Sequence, residues 1–399
     1  MSVLGVWMWP QSVRIHGAQR VAARCSRAGI TDICFLTKGL AGTTSHLSRI
    51  APHCCERDLL RELIDAAHPL GIRVHAWLTS ASDEHYKLLH PHSGRCHYTR
   101  GKDKGLISLT DAGYQAYMQN VIAELCREYE IDGLHLDYIR YNHLLYGWAE
   151  EDVSRYAAAG ADPARLRRLM DDTFLGDAPD ALRIFDAFRA GDASALALAR
   201  ARRADVTGFA SALIAPARAA KEDLIISAAL MPEGAYDDTA FSDLHYGQNY
   251  DDAAALYDCA LPMAYSKAYE KDSSWVRAVA DGTLRRGLRT IMGLHAYEGG
   301  TGPSLQEDAD ALCGAAVDGI CLFREGAFAM AFSTGRELCL CNTLDAPITA
   351  IRADESDSLI TPANPILPGT EARVALPHVP HTLRIYTDKA EACVWLTRR

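Results

Sequence analysis

The stretch EIDGLHLDYIRY, residues 130–141, decides how this chain folds. After the Asp132-Gly133 turn it places Leu134, Leu136 and Tyr138 on one face and His135 and Asp137 on the other, the period-two alternation of a β-strand. An inward aspartate at a strand's C-terminal end is costly unless it is paired or used. Arg140 is a partner that would hold Asp137 ionised. Asp132 reads as a cap of the turn before the strand.

Seven other segments share this texture: VLGVWMW (3–9), DICFLTK (32–38), RVHAWLTS (73–80), LIISAALMP (224–232), CALPMAY (259–265), RTIMGLHAY (289–297) and VDGICLF (317–323). Each is short, rich in β-branched, aromatic or aliphatic residues, and flanked by turn formers. Helical periods lie between them. One helix carries Leu59, Leu60, Leu63, Ile64 and Ala67 on a single stripe and stops at Gly71. Another carries Tyr117, Val121, Leu125 and Tyr129, with Asp111 as its N-cap or first-turn acid.

Eight strands alternating with helices predict a parallel sheet, and across this length a closed (β/α)8 TIM barrel with insertions. An open doubly wound sheet is the alternative. WMWPQS follows the first strand, so the Gly-rich turn of the nucleotide-binding version is missing. Residues 142–223 form a helical insertion plus the fourth barrel helix, and its Ala-, Arg- and Asp-rich part from Ala149 to Ala220 is expected to cap the mouth. From Gly335 the texture changes to short β runs broken by Pro, Asn and Asp. The expected division is a barrel over 1–334 and a small antiparallel β module over 335–399, read as a brace rather than a carbohydrate-binding module.

Composition sets the outer bounds. The chain has 399 residues, enough for two or three domains or for one large one with an appendage. It is 49% apolar and 23% charged, which excludes a largely disordered chain. A net charge of −10, from 41 basic and 51 acidic residues, argues against a partner that is nucleic acid or an anionic membrane. No apolar run approaches the ~20 residues of a membrane span. MSVLGVWMWP has no basic n-region, so no signal peptide is read and a cytoplasmic location is expected. The twelve cysteines include several in apolar runs (Cys34, Cys259, Cys321), consistent with reduced, buried thiols. HPHSGRCH carries His90, His92, Cys96 and His97, residue types that bind zinc, but it reads as a polar loop.

In such a barrel the chemistry sits at the C-terminal strand ends. Those ends offer Trp7, Trp9, Lys38, His75, Trp77, His135, Asp137, Arg140, Glu233, Tyr265, Lys267, His295, Tyr297, Glu298, Arg324 and Glu325. Aromatics, carboxylates and cations around one mouth suit a carbohydrate, whose C–H faces stack on rings while its hydroxyls meet polar groups. Glycoside hydrolysis usually needs two carboxyl groups. Asp137 is the first, its partner being Glu298 or Glu233, with Glu325 third. A 2-acetamido group on the substrate would replace the second carboxylate. Trp9, Trp77 and Tyr297 would be stacking platforms, and Lys38, His75 and Arg324 would bind hydroxyl or acidic groups, beside His135, Arg140 and Tyr265. No metal and no organic cofactor is required.

EIDGLHLDYIRY, with SLTDAGYQAYMQNVIAELCREY before it, VHAWLTS at the third strand and YGQNYDDAAALYDCALPMAYS downstream, resembles the glycosyl hydrolases of the family-10-like group over roughly residues 1–330. The resemblance implies a glycosidase-type barrel with its pocket at the strand ends. In that group Pro often follows IRY, where this chain has Asn142. The same strands faintly resemble family-18 chitinases: Asp132, Gly133, Asp137, Met263 and Tyr265 match, while His135 replaces an acid and Ile139 stands at the catalytic Glu position. That likeness implies Asp137 near the reacting sugar, with the Tyr265 hydroxyl directed to it. The expected function is therefore a glycoside hydrolase acting on a short oligosaccharide, possible N-acetylation included. The alternatives are a non-catalytic sugar-binding barrel and a zinc hydrolase built on His75, His135, His295 and Asp137.

Overall fold

The computed structural model describes residues 3–176, 183–296, 304–354, 358–380, 382–388 and 390–398, with the backbone alone at 102–105, 334 and 398. Eight parallel strands stand where the sequence places them: β1 (Val3–Met8), β2 (Asp32–Lys38), β3 (Arg73–Thr79), β6 (Gly133–Asp137), β7 (Ile225–Leu230), β8 (Cys259–Pro262), β9 (Ile291–His295) and β10 (Gly319–Phe323). Their order is β8-β7-β6-β3-β2-β1-β10-β9. Parallel bridges from Ala260 to Thr290 and from Met263 to Gly293 join the two ends. The sheet is thus a (β/α)8 barrel rather than the open alternative.

Alternation along each strand sorts the core into two layers. Val6, Ile33, Phe35, Leu134, Leu136, Ile226, Met292 and Ile320 face outward and pack under the helices. Trp7, Cys34, Trp77, Cys259, Leu261 and Cys321 face inward and fill the barrel. Gly293 makes room for this filling, since a Cβ there would lie 2.9 Å from Trp7 Cη2. The inward thiols behave as small hydrophobes, and burial pushes that of Cys259 up to about 12. All twelve cysteines are free thiols. No helix among the described residues is long and apolar enough to cross a membrane.

The expected helices form. Asp111 caps Ala112–Glu128 by accepting the Tyr114 amide, and Gly71 ends the Leu59–Leu70 segment with a left-handed φ of 72°. The insertion contains Glu150–Ala158, Pro163–Phe174 and Ile184–Arg189, followed by the long helix Ala193–Ala220. The first half of that helix shares a core with Leu144, Tyr156, Leu166 and Met170. Its second half, with Val206, Phe209 and Leu213, belongs to the barrel's own core.

The His-rich segment differs from the expected loop. It forms a short turn and then an antiparallel hairpin, β4 (Gly94–His97) with β5 (Gly101–Ile107). The cause is Arg95, only 1% exposed, whose guanidinium donates to the carbonyls of Ile107 and Arg140 and to Asn142 Oδ1. His90 stacks on Tyr86 instead of facing a metal set, and the His97 ring nitrogens meet the Thr99 amide and Arg100.

The C-terminal strands are β11 (Ala329–Thr334), β12 (Glu337–Cys341), β13 (Ile348–Ala353), β14 (Glu371–Ala375), β15 (Leu383–Thr387), β16 (Glu391–Ala392) and β17 (Val394–Arg398). They form a four-stranded sheet, β14-β12-β11-β17, and a three-stranded one, β13-β15-β16. The expectation of a purely antiparallel module is corrected: β11 and β17 run parallel, and the module's first strand lies before Gly335.

Candidate active site

Asp137 ends β6 opposite Thr79 of β3 and is 7% exposed. Its Oδ2 accepts the Trp77 indole N–H at 3.1 Å, and its Oδ1 accepts the Tyr138 amide at 2.7 Å. Tyr138 adopts φ 56°, a left-handed conformation costing a bulky residue roughly 1–3 kcal/mol. The same turn ends the strand at Asp137 instead of Tyr141. Burial raises the Asp137 pKa, against the opposing effects of the Arg140 charge and the two N–H donors.

The expected Asp137–Arg140 ion pair does not form. The Arg140 guanidinium instead lies 5.1 Å from the centre of the Tyr138 ring and 5.6 Å from that of Tyr246, and it acts on Asp137 as a charge at longer range. Its loop is pinned from both sides. Arg95 binds the Arg140 carbonyl, and the Tyr141 amide donates to Tyr246 O at 2.9 Å. Asn142 supplies Arg95 with a side-chain acceptor that a proline lacks.

Glu233 lies in the turn Pro232–Ala235, just past the end of β7. The Tyr269 hydroxyl, from the turn after β8, sits 3.2 and 3.3 Å from its two carboxylate oxygens. Burial raises its pKa too, against the hydroxyls of Tyr269 and Tyr246 and the Arg140 charge. One cation therefore acts on both carboxyl groups, and Tyr138, Tyr246 and Tyr269 surround them. None of the three was among the sequence candidates: Tyr138 reads as an outward residue of a strand running to Tyr141, and Tyr246 and Tyr269 lie in turns well beyond the ends of β7 and β8.

Further round the mouth, Tyr265 stacks on His295 and Phe323, with ring centroids 5.0 and 5.6 Å away. Burial and the Lys267 charge lower the His295 pKa to about 4. The Arg324 guanidinium lies 3.5 Å over the Trp9 ring, so one face of that platform is already covered. Tyr297 and Glu298 lie outside the described residues.

Four expected site residues, Lys38, His75, His135 and Glu325, are placed elsewhere, and a fifth, Trp77, has a different role. Lys38 is fully buried and paired with Asp83 at 2.8 Å, because Thr79 and the Asp83 loop close over the end of β2. His75 belongs to the opposite pole: it bonds Asp32 at 2.8 Å, beside a cavity lined by Cys34, Arg73, Ser227 and Cys321. Gly133 accommodates it, since a Cβ there would lie 2.1 Å from His75 Nδ1. His135 is an interior plug. Its Nε2 accepts the Trp7 indole N–H at 2.9 Å, so the proton on Nδ1 is directed to Ser227 Oγ, also at 2.9 Å. Burial lowers its pKa to about 3 and keeps the ring neutral. Trp77, 4% exposed, is a donor to Asp137 rather than a stacking platform. Glu325 is fully buried between Arg24 and Ser12, facing the helix side instead of the mouth. The four zinc candidates thus have separate partners, and among the described residues no three His, Cys, Asp or Glu side chains gather as a metal set.

The comparisons with known proteins bear on the family and the fold. A family model described as glycosyl hydrolase-like 10 matches residues 54–281, the region running from just before the helix Leu59–Ala67 through the Asp137 and Glu233 strand ends. The fold resembles the PgaB (BpsB) glycoside hydrolase domain from Bordetella bronchiseptica, with a TM-score of 0.65 at 14% identity over 82% of this chain and 94% of that one. It also resembles a β-galactosidase from Marinomonas ef1 (TM-score 0.59, 13% identity, 81% of this chain and 54% of that one). The α-L-fucosidase isoenzyme 2 from Paenibacillus thiaminolyticus gives a TM-score of 0.56 at 14% identity, over 81% of this chain and 46% of that one. The chain spans about half the length of the latter two, and at these identities the likeness is one of fold. No curated protein matches the chain.

Proposed function

The chain belongs to the glycosyl hydrolase-like 10 family, and from that premise we propose that it hydrolyses a glycosidic bond, with Asp137 as the central carboxyl group and Glu233 as its partner. One observation carries the reading: the buried Asp137 and the half-buried Glu233, both with raised pKa values, share the β6–β7 side of the mouth and the charge of Arg140. A carboxyl group whose pKa is raised by burial suits a general acid, which must deliver a proton to the leaving oxygen. The indole and amide donors orient Asp137 and steady its carboxylate once the proton has left. Glu233, hydrogen-bonded by tyrosine hydroxyls, serves as nucleophile or base on the other side of the bond. Glu298 is the reserve for that role. An N-acetylated sugar would supply its own acetamido oxygen and leave Glu233 to orient it. The substrate is a carbohydrate, with no nucleic acid or membrane partner and no cofactor proposed.

Aryl glycosides and N-acetylated oligosaccharides assayed against wild type, Asp137→Asn and Glu233→Gln test this directly. Asp137→Asn should lower kcat roughly 10²–10⁴-fold while sugar binding persists. The raised pKa also gives a sign for stability. The buried group stabilises the fold fully below its unfolded pKa, and that contribution is lost as pH rises through the folded value. The amide variant should therefore melt no lower than wild type at neutral pH. Undiminished turnover by Asp137→Asn would remove Asp137 from the chemistry. Binding without turnover by wild type would make the barrel a sugar-binding protein.

A further inference from the structure

Two lines of aromatic rings lead away from Glu233, one from each tyrosine that bonds it. Tyr246 meets Phe241 edge to face at 5.6 Å, and Phe241 stacks on Phe185 with centroids 5.6 Å apart and planes 17° apart. In the other direction Tyr269 stacks on Trp275 at 5.0 Å and 29°, and the Trp275 indole donates to the Tyr236 hydroxyl at 2.8 Å. These six rings come from the insertion helix Ile184–Arg189, the segment after β7 and the segment after β8. Arg189 fastens the first two of these, pairing with Asp186 on its own helix and with Asp238 across the gap, both at 2.8 Å.

Core packing explains only part of this line: Phe185 leans on the insertion core, Trp275 on the barrel core, and His245 stacks on Phe241 at 4.5 Å, yet the outer rings stay open. Phe241 is 36% exposed and Tyr236 37%, while Phe185, Tyr269 and Trp275 are half-buried; only Tyr246 is covered, beneath Arg140. The middle of the line is polar, with Glu233 and Arg140, and its ends are flat rings, Phe185 and Phe241 on one side and Trp275 and Tyr236 on the other. A polymer of sugar rings has the matching chemistry at every unit: C–H faces for the aromatic surfaces and hydroxyls for the carboxylate, guanidinium and phenols.

We propose that this ledge holds consecutive sugar units on both sides of Glu233, so that the chain acts within a polysaccharide or long oligosaccharide rather than on a short one. The proposal rests on the glycosidase reading above and extends the expected short substrate. Phe185 and Phe241 would carry units toward the insertion, and Trp275 and Tyr236 those toward the β8 side.

The test uses cello-, chito-, malto- and galacto-oligosaccharides of two to six units, titrated into the Asp137→Asn protein by calorimetry. In the series that binds, affinity should rise about tenfold or more from dimer to hexamer, a difference of roughly 1.4 kcal/mol. Phe241→Ala and Trp275→Ala should each flatten that rise while leaving dimer affinity in place, and Phe241→Tyr should restore it. Equal affinity for dimer and hexamer, or a rise that survives both alanine substitutions, overturns the ledge and leaves the glycosidase reading standing. Failure of every series to bind at any length overturns both.

Discussion

Asp137 takes its character from groups far from it in sequence. Trp77 on β3 gives it an indole donor, Tyr138 turns its own amide back onto it, and Arg140 biases it from beyond hydrogen-bond reach. Trp77→Phe removes the indole donor and destabilises only the ionised form, so the limb of the kcat/KM profile governed by Asp137 should move to higher pH. The variant should also lose about 1–3 kcal/mol of stability to the space left in the barrel. A lowered melting temperature with an unmoved limb would mean that the indole fills space without tuning the carboxyl group. His135 shows where residue-level reading ends. It shares strand and parity with Asp137, two positions earlier, and that one step of depth makes it a neutral plug between Trp7 and Ser227. Parity is written in the alternation. Depth along the barrel axis depends on the stagger of neighbouring strands, which no single strand encodes.

The loop after β6 is the element on which the site depends. Tyr141 lies between two buried arginines, with Arg95 5.0 Å and Arg202 3.7 Å from its ring centre. Arg202 also donates to the carbonyls of Tyr146, His143 and His245, tying together the β6 loop, the helix Ala193–Ala220 and the turn that carries Tyr246. Arg202→Met keeps much of the volume but leaves three carbonyls without their donor. It should cost about 2–5 kcal/mol, read as a lower denaturant midpoint, with faster proteolysis within residues 142–200. An unchanged midpoint would show that the insertion is held by its apolar core alone. The insertion's helices were legible from their composition. The hairpin Gly94–Ile107 was not, because its order comes from Arg95 reaching partners 12 to 47 residues away and not from a local apolar pattern.

Across the molecule, the tail and the barrel share a core. Phe328, Met330 and Cys341 pack within the barrel's outer layer, and the Thr397 hydroxyl donates to Ala28 O. Glu325 lies just before this junction, fully buried with Arg24. Ending the chain at Ala327 should therefore lower the melting temperature or drive aggregation, because it opens apolar surface on the barrel that the sheet now covers. A truncated barrel that melts with the full chain would make the tail an appendage instead of a brace. The line of rings through Glu233 belongs at this level too, since it needs the insertion and the loops after β7 and β8 in one place.

Eight strands, their helices, the inward parity of Asp137 and the family resemblance were all readable from residue order, because alternation, capping and turn chemistry are local and repeat along the chain. Which inward residue reaches the mouth was not. His75, the third residue of β3, bonds Asp32 at the far pole, loop closure sealed Lys38 against Asp83, and Glu325 turned to meet Arg24. Those outcomes depend on the mutual burial of charges and rings brought together from distant segments, and that is settled only when the barrel closes.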